Sequence, residues 1–136
     1  MYKNILVPVD MGNEETNLRM INKAKSLLDG GGKITLLHVM DEVPTYARTY
    51  LKPETIEKNL MEVRGELTAM AKLSGGDMAV EVKFGRPSPV ILDEAEDLGA
   101  DLIIMASHQP NISDYLLGST AARVVRHAKC SVLIDR

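Results

Sequence analysis

The residue types best suited to chemistry sit together between Leu102 and Arg126. Leu102-Ile103-Ile104-Met105 is followed by Ala106-Ser107-His108-Gln109, and further on by Gly118-Ser119-Thr120 and Ala-Ala-Arg-Val-Val-Arg. Glycine and two hydroxyl residues at the start of a helix present free backbone N–H groups and side-chain donors to an anion. Ser119 reads as the N-cap of that helix. The chemistry suggested is the holding of a phosphate. The connection ahead of Gly118 spans about a dozen residues, longer than most strand-to-helix loops. Long loops at the carboxyl ends of parallel strands are where open α/β sheets place their ligands.

Other reactive side chains fit blander roles. Ser107 beside His108 would suit nucleophilic catalysis only with a third carboxylate and a nucleophile elbow. Neither is in place, so no catalytic residue is assigned. His38 lies in an apolar run and reads as a satisfied core histidine. His127 suits the carboxyl end of a helix. Gly30-Gly31-Gly32-Lys33 lacks the upstream glycine and the Ser/Thr of a phosphate-binding loop, and reads as a helix stop. Cys130 is the single cysteine, which excludes an intramolecular disulfide. It precedes a strand and reads as inert packing, with redox sensing as its functional alternative. No His, Cys or carboxylate cluster has metal-ligand spacing.

The elements that must position these residues follow from periodicity. Ile5-Leu6-Val7 is a short apolar run ending at Pro8, which puts Pro8-Val9-Asp10 at the carboxyl end of a first strand. Asp10 there either caps the following loop or meets a ligand. Asn13 is the expected N-cap of a helix, with Glu14 and Glu15 in its first turn. Leu18, Ile21, Ala24, Leu27 and Leu28 keep helical spacing up to the three glycines. Ile34 to Val39 is the second strand. Asp41 to Lys52 has no period and reads as a surface connection, or as a flap over the strand ends. Pro53 opens a helix whose stripe is Ile56, Leu60, Val63, Leu67 and Met70, closed by Gly75-Gly76. Val80, Val82 and Phe84 alternate with Glu81 and Lys83, the mark of a half-exposed edge strand. Ser88 and Pro89 are expected to start the next helix, with Val90, Ile91, Ala95 and Leu98 inward and Gly99 ending it. Leu102 to Met105 is the fourth strand. The helix capped by Ser119 runs to about Ala128, and Ser131 to Asp135 is the last strand.

Strands alternating with helices predict one α/β domain over residues 1–136. Its core is a doubly wound, five-stranded parallel sheet with helices on both faces. Such sheets have the order 3-2-1-4-5 or 2-1-3-4-5. The polar alternation of the third strand selects 3-2-1-4-5, in which that strand is an edge. The chain then reverses between strands one and four. The crevice lies between the Asp10 loop and the connection from Ala106 to Ser119. The last strand is also an edge in this order. Val132, Leu133 and Ile134 make it apolar throughout, so it is expected to be covered by a second copy in a homodimer.

Composition narrows the partners. With 136 residues and a net charge of −3, mixed in sign along the chain, no basic stripe marks a nucleic-acid surface. No apolar run approaches the ~20 residues of a membrane span, and the first ten residues lack the features of a signal peptide. The default expectation is a soluble cytoplasmic protein without nucleic-acid or membrane partners.

The whole chain resembles the universal stress protein family. The resemblance is carried by Lys3 to Asp10, Leu36-Leu37-His38-Val39, Gly85-Arg86-Pro87 and Ala100 to Met105. It continues through Leu116 to Ala121, Arg126-His127-Ala128 and Ser131 to Ile134. The resemblance implies the 3-2-1-4-5, adenine nucleotide alpha hydrolase-like fold, homodimers and, in one branch, bound ATP. That branch has a glycine, two residues, a second glycine, nine residues and then Gly-Ser or Gly-Thr. Here Ala106 and Gln109 stand at the two glycine positions, and eight residues separate Gln109 from Gly118. The Ala-Ser-His and Leu-Leu-Gly-Ser stretches are similar to a sub-branch that keeps a nucleotide site. On this resemblance adenosine would lie among Pro8, Val9, Asp10, Val39, Met105 and Ala106. The phosphates, with Mg as their companion, would run past His108 and Gln109 to Gly118, Ser119 and Thr120. The implied function is an ATP- or adenine-nucleotide-binding regulatory protein of the stress response, with little or no catalysis. A non-nucleotide dimeric scaffold and a slow ATP hydrolase are the alternatives.

Overall fold

The computed structural model describes residues 1–107 and 117–136. Five strands form one parallel sheet: β1 (Tyr2–Pro8), β2 (Leu28–Met40), β3 (Met78–Phe84), β4 (Leu102–Ala106) and β5 (Ser131–Asp135). Their order is β3-β2-β1-β4-β5, as the sequence predicts. The helices are α1 (Glu14–Leu27), α2 (Thr45–Arg48), α3 (Pro53–Leu73), α4 (Pro87–Leu98) and α5 (Ser119–His127).

Strand alternation divides the core into two layers. Ile5 and Val7 of β1, and Val9 just beyond it, face α1 and α3, where they meet Ile21, Ala24, Ile34, Leu36 and Leu67. Leu6 faces the other way, toward α4 and α5, with Leu37, Ile91, Ala95, Ile103 and Val124. The sheet centre is apolar except for Thr35, which is fully buried in β2, because both faces are covered. The outer strand β3 is half-covered as its alternation suggests, with Val82 buried and Lys83 exposed, but Phe84, expected inward with Val82, is exposed at the strand's end.

Several boundaries differ from expectation. The triple glycine is not a helix stop. The first helix ends at Leu27, and Gly30 to Gly32 lie inside β2. There the register slips from Tyr2↔Leu28 to Asn4↔Lys33, so the glycines fill a bulge opposite Lys3. A Cβ on Gly32 would stand 2.9 Å from the Lys3 carbonyl oxygen, which is why that position is glycine. Strand β2 therefore starts at Leu28, well before Ile34. On α1 the inward residues are Asn17, Met20, Ile21 and Ala24, with Leu18 only partly covered. Asn13 takes the N-cap position without a side-chain capping bond. Helix α4 is capped by Arg86 and starts at Pro87, so Ser88 is its second residue. Gly118, not Ser119, is the N-cap of α5. Gly99 ends α4 as expected, in the left-handed region at φ 65°, where a Cβ is disfavoured.

Residues 41–52 contain the single helical turn α2, none of whose residues is buried. Tyr46 and Tyr50 are among the most exposed large side chains. Among the described residues no helix is long and apolar enough to cross a membrane.

Candidate functional site

A slot of about 160 Å³ opens at the carboxyl ends of β1 and β4. The two strands pair at only two registered positions, Ile5↔Leu102 and Leu6↔Ile103. On its other side β1 stays paired with β2 as far as Pro8↔Leu37. Proline explains the asymmetry. Val9 N–H donates to Leu37 O at 2.8 Å, so the polar backbone groups of residues 5, 7 and 9 turn toward β2. Those of residues 6 and 8 turn toward β4, and Pro8 has no N–H to give. The ladder stops where the crevice begins.

The turn after β1 is held by four hydrogen bonds. Besides the Val9–Leu37 bond, His38 Nδ1 donates to the Val9 carbonyl at 2.8 Å, since a carbonyl only accepts. The Asn17 carboxamide grips both backbone groups of Asp10. Its Nδ2 donates to Asp10 O at 2.6 Å, and its Oδ1 accepts from Asp10 N at 3.4 Å. Asn17 is itself 1 % exposed. With its backbone fixed, Asp10 leaves its exposed carboxylate at the rim of the slot. His38 is satisfied as the sequence suggests, but it is only partly buried and not a core residue.

The opposite wall is the start of α5. Gly118 is buried and accepts from Ala122 N at 2.9 Å. The N–H groups of the first turn have no partner within the helix. They carry the positive end of the helix dipole into the slot beside Thr120 and Ala121. No Lys or Arg is among the described residues lining the slot, and Asp10 is the one formal charge there. An anion would therefore be received at the α5 end and repelled at the Asp10 end.

Behind β4, Ser107 N–H donates to Asp135 O at 3.2 Å. The Asp135 side chain is 1 % exposed and accepts from Arg19, with Nη2 at 2.7 Å and Nε at 2.8 Å, and from Lys23. Burial alone pushes its carboxyl up, but the bonds from the two cations outweigh burial and hold it below the ordinary carboxylate range. This network ties β5 and the end of β4 to α1.

Of the residues singled out from sequence, Pro8, Val9, Asp10, Val39, Met105, Ala106, Gly118 and Thr120 all line the slot. Ser119 does not: consecutive helical residues turn by about 100°, and it faces solvent. His108 and Gln109 lie outside the described residues. No residue of the 41–52 connection lines the slot. Sequence reasoning missed Asn13, Thr16, Asn17 and Met20 from the α1 side, Leu37, Pro87, Ile91, Ser107 and Ala121. Asn17 had a signal, since it interrupts the apolar stripe it shares with Ile21 and Ala24. Cys130 is partly buried, and burial pushes its thiol above its ordinary value, which disfavours the thiolate. Among the described residues no three His, Cys, Asp or Glu side chains are grouped to hold a metal.

A doubly wound parallel sheet with a slot at its topological switch point defines the class of open α/β domains built around a ligand crevice. Within that class the chain belongs to the universal stress protein family, whose model matches residues 1–136. It is 33% identical over 142 residues to universal stress protein G of Escherichia coli O157:H7, covering 100% of both chains. Universal stress protein UspA from Lactobacillus plantarum has the same fold, with TM-score 0.76 and 26% identity over 99% of this chain and 98% of that one. A universal stress protein solved in complex with cAMP superposes with TM-score 0.73 at 21% identity, covering 99% of this chain and 97% of that one. One from Archaeoglobus fulgidus in complex with dAMP does so with TM-score 0.67 at 20% identity, covering 99% and 98%.

Proposed function

We propose that this chain is an adenine-nucleotide-binding regulatory protein of the stress response, cytoplasmic, homodimeric and with little or no turnover. The observation that carries the reading is the pairing of a clamped Asp10 turn with the amino end of α5 across one slot. The solved relatives with cAMP and dAMP support an adenine nucleotide as the ligand class. The slot, at about 160 Å³, is smaller than the roughly 300–1,000 Å³ of sites that enclose a drug-sized ligand. It suits the base and part of the ribose, with the phosphates outside along α5.

In this arrangement Val9 and Val39 flank the base, and the Asp10 carboxylate accepts from its amino group or from a ribose hydroxyl. Met105 and Ala106 pass under the ribose. The phosphates take the N–H groups that follow Gly118, with the Thr120 hydroxyl beside them. His108 and Gln109 would stand along the phosphate path. ATP is the nucleotide proposed, with Mg entering on the triphosphate. Val132, Leu133 and Ile134 would meet their two-fold mates in the homodimer.

Mass spectrometry of the small molecule released on denaturing the purified protein tests the reading, together with calorimetric titration of ATP into emptied protein. An adenine nucleotide in the released fraction and saturable ATP binding are expected. Absence of both would replace this reading with the non-nucleotide scaffold. Phosphate release that disappears on Asp10→Ala would instead establish the slow hydrolase.

A further inference from the structure

A second concavity, of about 390 Å³, lies between the start of α1 and the last turns of α3. Its floor is apolar, formed by Met11, Ala69, Met70 and Leu73, and Leu73 is 75 % exposed. Its rim is acidic: Asp10, Glu14 and Glu66 border it, and no Lys or Arg is among the described residues that line it. The carboxyl end of α3 is met by Lys25, whose Nζ donates to Ser74 O, so the acidic character of the rim rests on the three carboxylates. These carboxylates are not gathered into a metal site. Leu73 stands open beside Ala69 and Met70, apolar surface that a docked aliphatic side chain would cover.

We propose that this groove docks a short basic, amphipathic segment of a partner protein. Its aliphatic side chains would cover Met70 and Leu73, and its Lys or Arg residues would meet Asp10, Glu14 and Glu66. Charge complementarity selects this occupant. A phosphate or an acidic segment would be repelled by three carboxylates with no cation between them. The volume admits a few aliphatic side chains and not a folded domain. A second copy of the chain seated here would make a head-to-tail contact, distinct from a two-fold pairing of β5 edges. Asp10 borders both the groove and the slot, but Glu14, Glu66 and Leu73 do not line the slot, so the proposal stands on them without nucleotide binding.

The test is fluorescence anisotropy of a labelled helical peptide with Leu along one face and Lys along the other, titrated with the full chain. A matched peptide with Glu in place of Lys is the control. The Lys peptide is expected to bind saturably and more weakly as salt is added, while the Glu peptide does not bind. Glu66→Lys and Leu73→Ser, both at exposed positions, should each weaken binding by about tenfold, the scale of losing one anchor contact. Absence of binding to the parent, equal binding of the Glu peptide, or unchanged binding in both variants would overturn the proposal. Light scattering on the same samples gives the other overturning result: self-association lost in Leu73→Ser would assign the groove to a second copy.

Discussion

Asn17 and Asp10 are joined twice, carboxamide to backbone, with Asn17 Nδ2 2.6 Å from Asp10 O. The bond runs from the first helix back to the turn that precedes it. A side chain without water access thereby sets the path of the one charged residue among the described residues of the slot. Asn17→Leu should remove both bonds to the Asp10 backbone and cost ~1–3 kcal/mol, from about 0.5–1.5 kcal/mol for each hydrogen bond. Chemical denaturation measures that loss. Calorimetry should show a larger loss of ATP affinity than in a variant of equal stability loss elsewhere, because the turn is no longer preorganised.

Asp135 predicts an acid limb in stability. Its carboxyl and that of Asp101 are both held below the ordinary range. Asp135 is held by Arg19 and Lys23 against burial; Asp101 accepts from the N–H groups of Lys3 and Asn4 at 2.9 and 3.0 Å. A depressed folded-state pKa contributes stability that is complete above the unfolded value, about 3.9 for Asp, and is lost as pH falls through the folded one. Denaturation followed from pH 6 downward, with pH 6 roughly two units above that value, should therefore stay flat and then fall below it. Asp135→Asn should flatten part of that fall. It should also lower stability at neutral pH by ~1–3 kcal/mol, the scale of hydrogen bonds to a charged group.

The edge strand β5 carries the assembly prediction. Val132, Leu133 and Ile134 are each only partly covered within one chain. Light scattering should give a dimer at micromolar concentration, and Leu133→Lys should shift it toward monomer. A parent protein that runs as a monomer would end the claim.

The connection from Asp41 to Lys52 contributes no residue to either core layer. Shortening it should leave the melting midpoint nearly unchanged, since surface changes away from packed features stay within about ±0.5 kcal/mol. A collapse on heating would show that the segment is structural.

Gly118 is buried at the slot wall and caps α5. Gly118→Val should abolish ATP binding in calorimetry while circular dichroism stays that of a folded chain. Ser119 faces solvent, yet its hydroxyl stands at the first turn. If it reaches a phosphate, Ser119→Ala should cost about tenfold in affinity, the equivalent of ~1.4 kcal/mol; if it remains in solvent, affinity should not change.

Periodicity determined the element types and, through the alternation of the third strand, the strand order. The crevice that order implies and the family resemblance together named eight of the slot-lining positions: Pro8, Val9, Asp10, Val39, Met105, Ala106, Gly118 and Thr120. Apolar runs, alternation in β3 and glycine at Gly99 are local signals, and each reports burial or backbone sign at its own position. Only the tertiary structure decided the rest, because it depends on what stands opposite in space. Gly30 to Gly32 look like a helix stop until Lys3 is seen opposite the bulge. Ser119 and Gly118 differ by one residue, and the packing of α5 decides which of them faces the slot. Asn17 reads as one polar residue in a helix, and nothing near it in sequence tells that it holds Asp10. Asp135 reads as a strand end, although Arg19 and Lys23 reach it from more than a hundred residues away. Those contacts are long-range, and a sequence pattern has no term for them.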